Sequence, residues 1–289
     1  MKGKGMKTIN ISSHSKEEVD AFNAHIDEEQ QLIFEGGKRS IEKYLESDGI
    51  PLHIKEDLPD AVQDKMPALI VIHGFTGHME EDHIRAVAGL ATDLGMVSIR
   101  AEMYGHGLSG GDFYDHNVMI WVMEIVRVIR YVRRLPYVSD IYLTGHSQGG
   151  LSVVLAAGIM RDVVKALIPL SPAINIYNDA ASGFFLGNEF DSEHIPDSIG
   201  SDEWELSSDS IRVASLLPVH DAVKAYKRPV LVVHGDDDEA VPYSCGAELA
   251  AEYSDARLAT IHGDDHCYTR HLDKVVEAVK DFLAKELKN

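Results

Sequence analysis

Ser147 stands in the stretch Gly145-His146-Ser147-Gln148-Gly149, where an apolar run stops and a helix-like segment starts. G-x-S-x-G at a strand-to-helix junction is the sequence form of a nucleophile elbow, in which the serine occupies a strained turn that exposes its hydroxyl. The glycines two residues to either side lack a Cβ and let strand and helix approach closely. A glycine-rich turn with an incidental serine would carry the same letters. The reading therefore depends on partners that make a hydroxyl nucleophilic: a base within hydrogen-bond reach and a third group that orients the base.

Behind such an elbow the chain order is serine, acid, histidine, so both partners must follow residue 147. The acids Asp236, Asp237, Asp238 and Glu239 come directly after the apolar run PVLVVHG (229–235), and sites of open α/β sheets form at the carboxyl ends of strands. Asp238, three residues before Val241-Pro242, is the first choice and Asp236 the second, because one residue of register would exchange them; Asp237 and Glu239 read as surface charges. Of the histidines that follow, His262 ends a strand-like run and His271 opens a helix-like one. His266 lies between them in Gly263-Asp264-Asp265-His266-Cys267-Tyr268, a loop free to reach back over the sheet edge, and is the expected base.

His262 and His266, four apart, also have the spacing of a helical metal site. Gly263 directly after a strand argues against a helix there, so no metal and no other cofactor is expected. His146 reads as a packing residue of the elbow. A tetrahedral intermediate needs two donors aimed at its oxyanion. One is the N–H of Gln148, at a helix N-terminus whose dipole favours negative charge. The other belongs to the loop His73-Gly74-Phe75-Thr76-Gly77 and is assigned to Phe75.

The elements that must position these groups alternate along the chain. SIEKYLES and IPLHIKED form a strand pair around Ser47-Asp48-Gly49. ALIVIHG is a continuous apolar run of buried parallel-strand type. There follow a helix near EDHIRAVAGLATDLG, the strand MVSIRAEM, the loop YGHGLSGGDF and a long helix, NVMIWVMEIVRVIRYVRRL, closed by Pro136. Strand DIYLTG, helix LSVVLAAGIM, strands VKALIPLSP and PVLVVHG, helix CGAELAAEY, strand ARLATIHG and a final helix from His271 complete the series. Alternation of this kind predicts an α/β fold with a mostly parallel central sheet flanked by helices.

Residues 173–222 break the rhythm, holding no clean buried-strand run and ten acids against one base, Arg212. A connection this long inside a compact domain is usually functional, and with Phe184, Phe185, Phe190 and Trp204 it reads as an inserted lid over a site. Residues 1–35 read as an N-terminal extension, helical over SKEEVDAFNAHIDEEQQLIF, with a capping box at Ser15 and Glu18. The α/β domain then occupies 36–289, and the extension packs on it or on a second copy, so a homodimer stays open.

The formal charge of -20 disfavours phosphate backbones and anionic lipid surfaces as partners; its plainest effect is solubility. Two cysteines, Cys245 and Cys267, make no disulfide framework and fit a reducing compartment. The first residues carry lysines without a leader-like apolar core, and no apolar run approaches a membrane span, so a cytoplasmic protein is expected.

With these residues in view, the chain resembles the α/β-hydrolase family and, more narrowly, bacterial cinnamoyl (feruloyl) esterases. The motifs that carry the likeness are HGFTGH at 73–78, MYGHG at 103–107, GHSQGG at 145–150, IPLSPA at 168–173, HGDDDEAVPY at 234–243 and GDDHCY at 263–268. The resemblance implies an α/β-hydrolase fold with a lid insertion and a triad on Ser147, Asp238 and His266. It implies an oxyanion hole on Phe75 and Gln148, and an insert that shapes the pocket for an aromatic acyl group. Its expected partner is a small aromatic ester, hydrolysed through an acyl-enzyme; the alternative is a short-chain carboxylesterase, thioesterase or other acyl hydrolase of the same fold. Trp204 is the candidate to cover the phenolic ring, with anchoring of the lid to the core as its other reading. Residues 1–35 have no counterpart in this resemblance, and residues 199–210 depart from it.

Overall fold

The structure is a computed structural model that describes residues 40–288; the expected N-terminal helix and its capping box lie outside the described residues. The first described element is a hairpin of β1 (Ser40–Ser47) and β2 (Ile50–Asp57). Its turn residues Asp48 and Gly49 have φ of 52° and 85°, the left-handed pair that a two-residue hairpin turn needs to match strand twist. Alternation then follows as β3 (Met66–Ile72), α1 (Asp82–Asp93), β4 (Val97–Ala101), α2 (Val118–Val132), β5 (Val138–His146), α3 (Gln148–Ile159) and β6 (Val164–Leu170).

After β6 the chain leaves the sheet and forms α4 (Ile176–Ser182), the hairpin β7 (Phe184–Phe185) with β8 (Asn188–Glu189), and the hairpin β9 (Ser198–Gly200) with β10 (Glu205–Ser207). Helices α5 (Ser208–Ala214) and α6 (Val219–Ala225) lead back to β11 (Val230–Gly235), α7 (Tyr243–Glu252), β12 (Ala256–Ile261) and α8 (Leu272–Glu286).

The eight-stranded sheet has the order β1-β2-β4-β3-β5-β6-β11-β12. Pairing is antiparallel for β1 with β2 and β2 with β4, and parallel from β4 to β12. After β3 the chain crosses to β4 on one side and then to β5 on the other, which makes the carboxyl ends of β3 and β5 the switch point where such sheets open a crevice. The apolar run of β3 serves both faces. Leu69 and Val71 pack with α1 and α8, while Ala68, Ile70 and Ile72 pack with α2 and α3. Helix α3 is buried from Gln148 to Gly158, which is why its sequence is apolar all round.

The stretch 173–222 is less irregular than its sequence implies. Its strands are two or three residues long and its helices seven, too short for either period to show. Among the described residues no helix is long and apolar enough to cross a membrane, and both cysteines are free thiols.

Candidate active site

Ser147 has φ 55° and ψ -122°, a conformation that L-residues avoid and that the surroundings must enforce. Three backbone bonds enforce it: Ser147 N–H donates to Leu170 O (2.9 Å), and Ser147 O accepts from Leu151 N–H (3.0 Å) and Ala173 N–H (3.1 Å). Close packing fixes the rest. A Cβ on Gly149 would lie 2.1 Å from His73 O, so the first turn of α3 can press on the end of β3 only without a side chain there. A Cβ on Gly74 would stand 3.1 Å from Ser147 Cβ, which puts the His73–Gly74–Phe75 loop directly beside the serine.

The expected acid and base meet. Asp238 Oδ2 accepts from His266 Nδ1 at 2.7 Å and from His234 Nε2 at 3.1 Å, while its Oδ1 takes the N–H groups of Ala240 (2.9 Å) and Val241 (2.8 Å). Burial opposes ionisation of Asp238, but the bonds from His234 and His266 outweigh it and hold the carboxyl well below the usual carboxylate range. Asp236, the second choice, pairs instead with His262 Nδ1 (2.7 Å) and Gly263 N–H (2.6 Å), and Asp237 with Arg270. The parallel register, Gly235 opposite Ile261, decides this, because it sets Asp236 against the start of the next loop and Asp238 two residues further, under His266.

His146 does more than pack. Its Nε2 donates to the carbonyl of His266 at 2.8 Å, and the two rings lie 4.6 Å apart. The residue preceding the serine therefore holds the loop of His266, while burial keeps its own imidazole neutral, well below the ordinary histidine value. Among the described residues, the Ser147 hydroxyl makes no hydrogen bond to His266. Such bonds are often long without substrate and tighten in the complex.

Neither the N–H of Phe75 nor that of Gln148 has an acceptor among the described residues. These two donors, one next to Gly74 beside the serine and one at the start of the twelve-residue α3, are the candidates to receive negative charge. Buried histidines brace the loops that carry them. Met103 N–H donates to His73 Nε2 (3.0 Å) and Thr76 N–H to His106 Nε2 (3.1 Å), while His106 Nδ1 donates to Tyr104 O (2.9 Å). Burial lowers His106 to about 4, so it accepts as a neutral ring. Glu124, pushed up to about 8 by burial, takes the N–H of Tyr104 at 2.8 Å.

Trp204, from the loop between β9 and β10, meets the Phe75 ring edge-on, centroids 5.2 Å apart at 87°, and Phe113 stands 5.4 Å from Phe75 on another side. The insert thus brings its tryptophan to the candidate oxyanion loop. The sequence assigns no role to His106, His116 or His234: Thr76 and Gln148, which meet the first two, come from other elements, and Asp238 meets His234 only through the fold of the loop after β11. Among the described residues no group of three or more His, Cys, Asp or Glu side chains is arranged to hold a metal ion.

Residues 82–289 match the prolyl oligopeptidase family. Among solved structures, Est1E from Butyrivibrio proteoclasticus with ferulic acid bound is 48% identical with a TM-score of 0.84, covering 85% of this chain and 99% of that one. A second structure of Est1E gives 44% identity and a TM-score of 0.81, covering 86% and 99%. Human Protein ABHD12B is 23% identical over 240 residues, 78% of this chain but 63% of that relative, so the match spans less than two thirds of the human protein. The elbow, the parallel sheet and this family match agree: the chain belongs to the prolyl oligopeptidase family and is a serine esterase of α/β-hydrolase fold.

Proposed function

We propose that the chain hydrolyses hydroxycinnamoyl (feruloyl-type) esters through an acyl-enzyme. Ser147 Oγ attacks the ester carbonyl carbon while His266 Nε2 takes the hydroxyl proton, and the N–H groups of Phe75 and Gln148 receive the oxyanion. Collapse of the tetrahedral intermediate breaks the bond to the alcohol oxygen, which leaves with the proton from His266. Water, deprotonated by His266, then attacks the acyl-serine and releases the acid and the free serine. Asp238 holds the imidazole with Nδ1–H toward itself and stabilises its cationic form.

The observation that carries this reading is the buried Asp238–His266 bond of 2.7 Å in the loops beside the strained Ser147. The aromatic acyl class is supported by the likeness to Est1E, whose structure holds ferulic acid, and by the Trp204–Phe75 contact above the oxyanion loop, which would offer a ring a flat apolar wall. In this reading residues 173–222 act as the lid.

The test compares methyl ferulate with ethyl acetate at equal concentration, for wild type and Ser147→Ala. A wild-type preference for ferulate that disappears with the serine supports both mechanism and acyl class. Preference for acetate keeps the nucleophile and removes the aromatic pocket, while undiminished hydrolysis by Ser147→Ala removes the mechanism.

A further inference from the structure

His116 follows the short 3-10 turn Phe113–Asp115 in the loop before α2, and the acyl transfer proposed above makes no use of it. Its side chain is buried, 1% exposed, and three separate contacts converge on it. Gln148 Nε2 donates to His116 Nε2 at 2.7 Å. The imidazole packs against the Phe75 ring, centroids 5.7 Å apart at 32°. Its backbone carbonyl accepts the hydroxyl of Ser210, which belongs to α5 of the insert. One residue therefore touches both proposed oxyanion residues and the insert above them.

We propose that His116 is a positioning residue that couples docking of the insert to the alignment of the Phe75 and Gln148 N–H groups. The inference rests on reading those two groups as the oxyanion donors. Such donors act only when they point at the place the oxyanion will occupy, and a small misdirection is felt mainly in the transition state. Gln148 opens α3 and its side chain can tether that first turn, but only to a neighbour that accepts.

A neutral imidazole accepts at one nitrogen; a cation cannot. Burial, with the nearby His106, lowers His116 to about 3, so the acceptor persists throughout the neutral range. The cost is visible at the other nitrogen. With Nε2 accepting, Nδ1 carries the proton, and this buried atom has no partner among the described residues. A phenylalanine or leucine would fill the space among Phe75, Phe113 and Trp121 without that penalty, so packing does not account for a histidine here, whereas the Gln148 bond does.

The experiment measures kcat, KM and inhibition by phenylboronic acid for wild type, His116→Phe and Ser210→Ala, together with Tm. The boronate forms a tetrahedral anion on the serine and reports the oxyanion donors independently of turnover. His116→Phe keeps a ring and removes the acceptor. It is expected to lower kcat about 10- to 100-fold and to weaken the boronate comparably, with KM within about twofold, less than deletion of a donor itself. Ser210→Ala is expected to shift kcat and boronate affinity in the same direction by about threefold, and the double variant to be no worse than His116→Phe alone.

Unchanged kcat and boronate affinity in His116→Phe would overturn the inference. So would a loss shared by KM and Tm with boronate affinity intact, which is the signature of a purely structural role. Should His116→Phe fail to fold, Ser210→Ala decides on the same two readouts, since it removes a single hydroxyl at the far end of the link. Wild type that binds no boronate while Ser147→Ala is inactive would remove the oxyanion reading, and the inference with it; normal boronate binding with an indifferent His116→Phe removes the inference alone.

Discussion

Two carboxylate–imidazole contacts of equal length, 2.7 Å, stand beside each other at the carboxyl ends of β11 and β12: Asp238 with His266 and Asp236 with His262. They come from the same two loops, with the acids two residues apart and the histidines four. Distance does not tell them apart; solvent does. The Asp238 carboxyl is 0% exposed and the His266 ring 19%, against 33% for Asp236 and 81% for His262. Water and salt screen the outer pair. Among the described residues the inner carboxylate is answered by His234, His266 and two backbone N–H groups, so it can stabilise a charge that appears on His266 during proton transfer. An ion pair becomes a candidate for catalysis through what excludes water from it, not through its length.

The largest effects should separate the two histidines. Ser147→Ala and His266→Ala are expected to lower kcat by three or more orders of magnitude, about 10³-fold to 10⁶-fold, with Tm retained, whereas His262→Ala stays within about twofold. Ester turnover assays read this directly, and an inactive His262→Ala would break the comparison. Next come the acids. Asp238→Asn is expected to cost about 10³- to 10⁴-fold in kcat, because an amide cannot hold the imidazole in the required tautomer and charge state; Asp236→Asn should be nearly silent.

Stability against pH sharpens the contrast further. The Asp238 carboxyl titrates well below its ordinary value of 3.8. The folded state thus favours its ionised form, and that stabilisation is complete above 3.8 and is lost as pH falls toward the folded value. The Tm gap between wild type and Asp238→Asn should accordingly be full at pH 7 and shrink below about pH 4, and a gap constant down to pH 2 would contradict the assignment. The smallest effect is salt. Raising ionic strength to about 1 M should erase any stability difference between wild type and Asp236→Asn while leaving that of Asp238→Asn largely in place.

The legible parts of the fold are those whose signal is local. Strand β3 shows as an unbroken apolar run, the β1–β2 turn as Asp48-Gly49, and the elbow as glycines placed about Ser147, because each depends on φ/ψ preference or burial within a few residues. The hairpins β7–β8 and β9–β10 were not legible, being held by pairing across two or three residues with no period to read. His146, His116 and His234 were not legible as site residues either. The partners of the first two lie in other elements, and that of His234 across the loop after β11; a lone histidine in a sequence carries no mark of what it will touch.

By itself, then, the sequence determined that Ser147 lies on a strand-to-helix elbow in a parallel α/β sheet, with an acid and a histidine following it in order. Glycine placement and apolar runs constrain the backbone locally, and that is enough for an elbow. Only the tertiary structure set Asp238 rather than Asp236 against His266, brought Trp204 to Phe75, tied His146 to the carbonyl of His266 and placed His116 against Gln148. Those choices depend on strand register and on which side chains lose their water, and both arise only when distant elements close on one another.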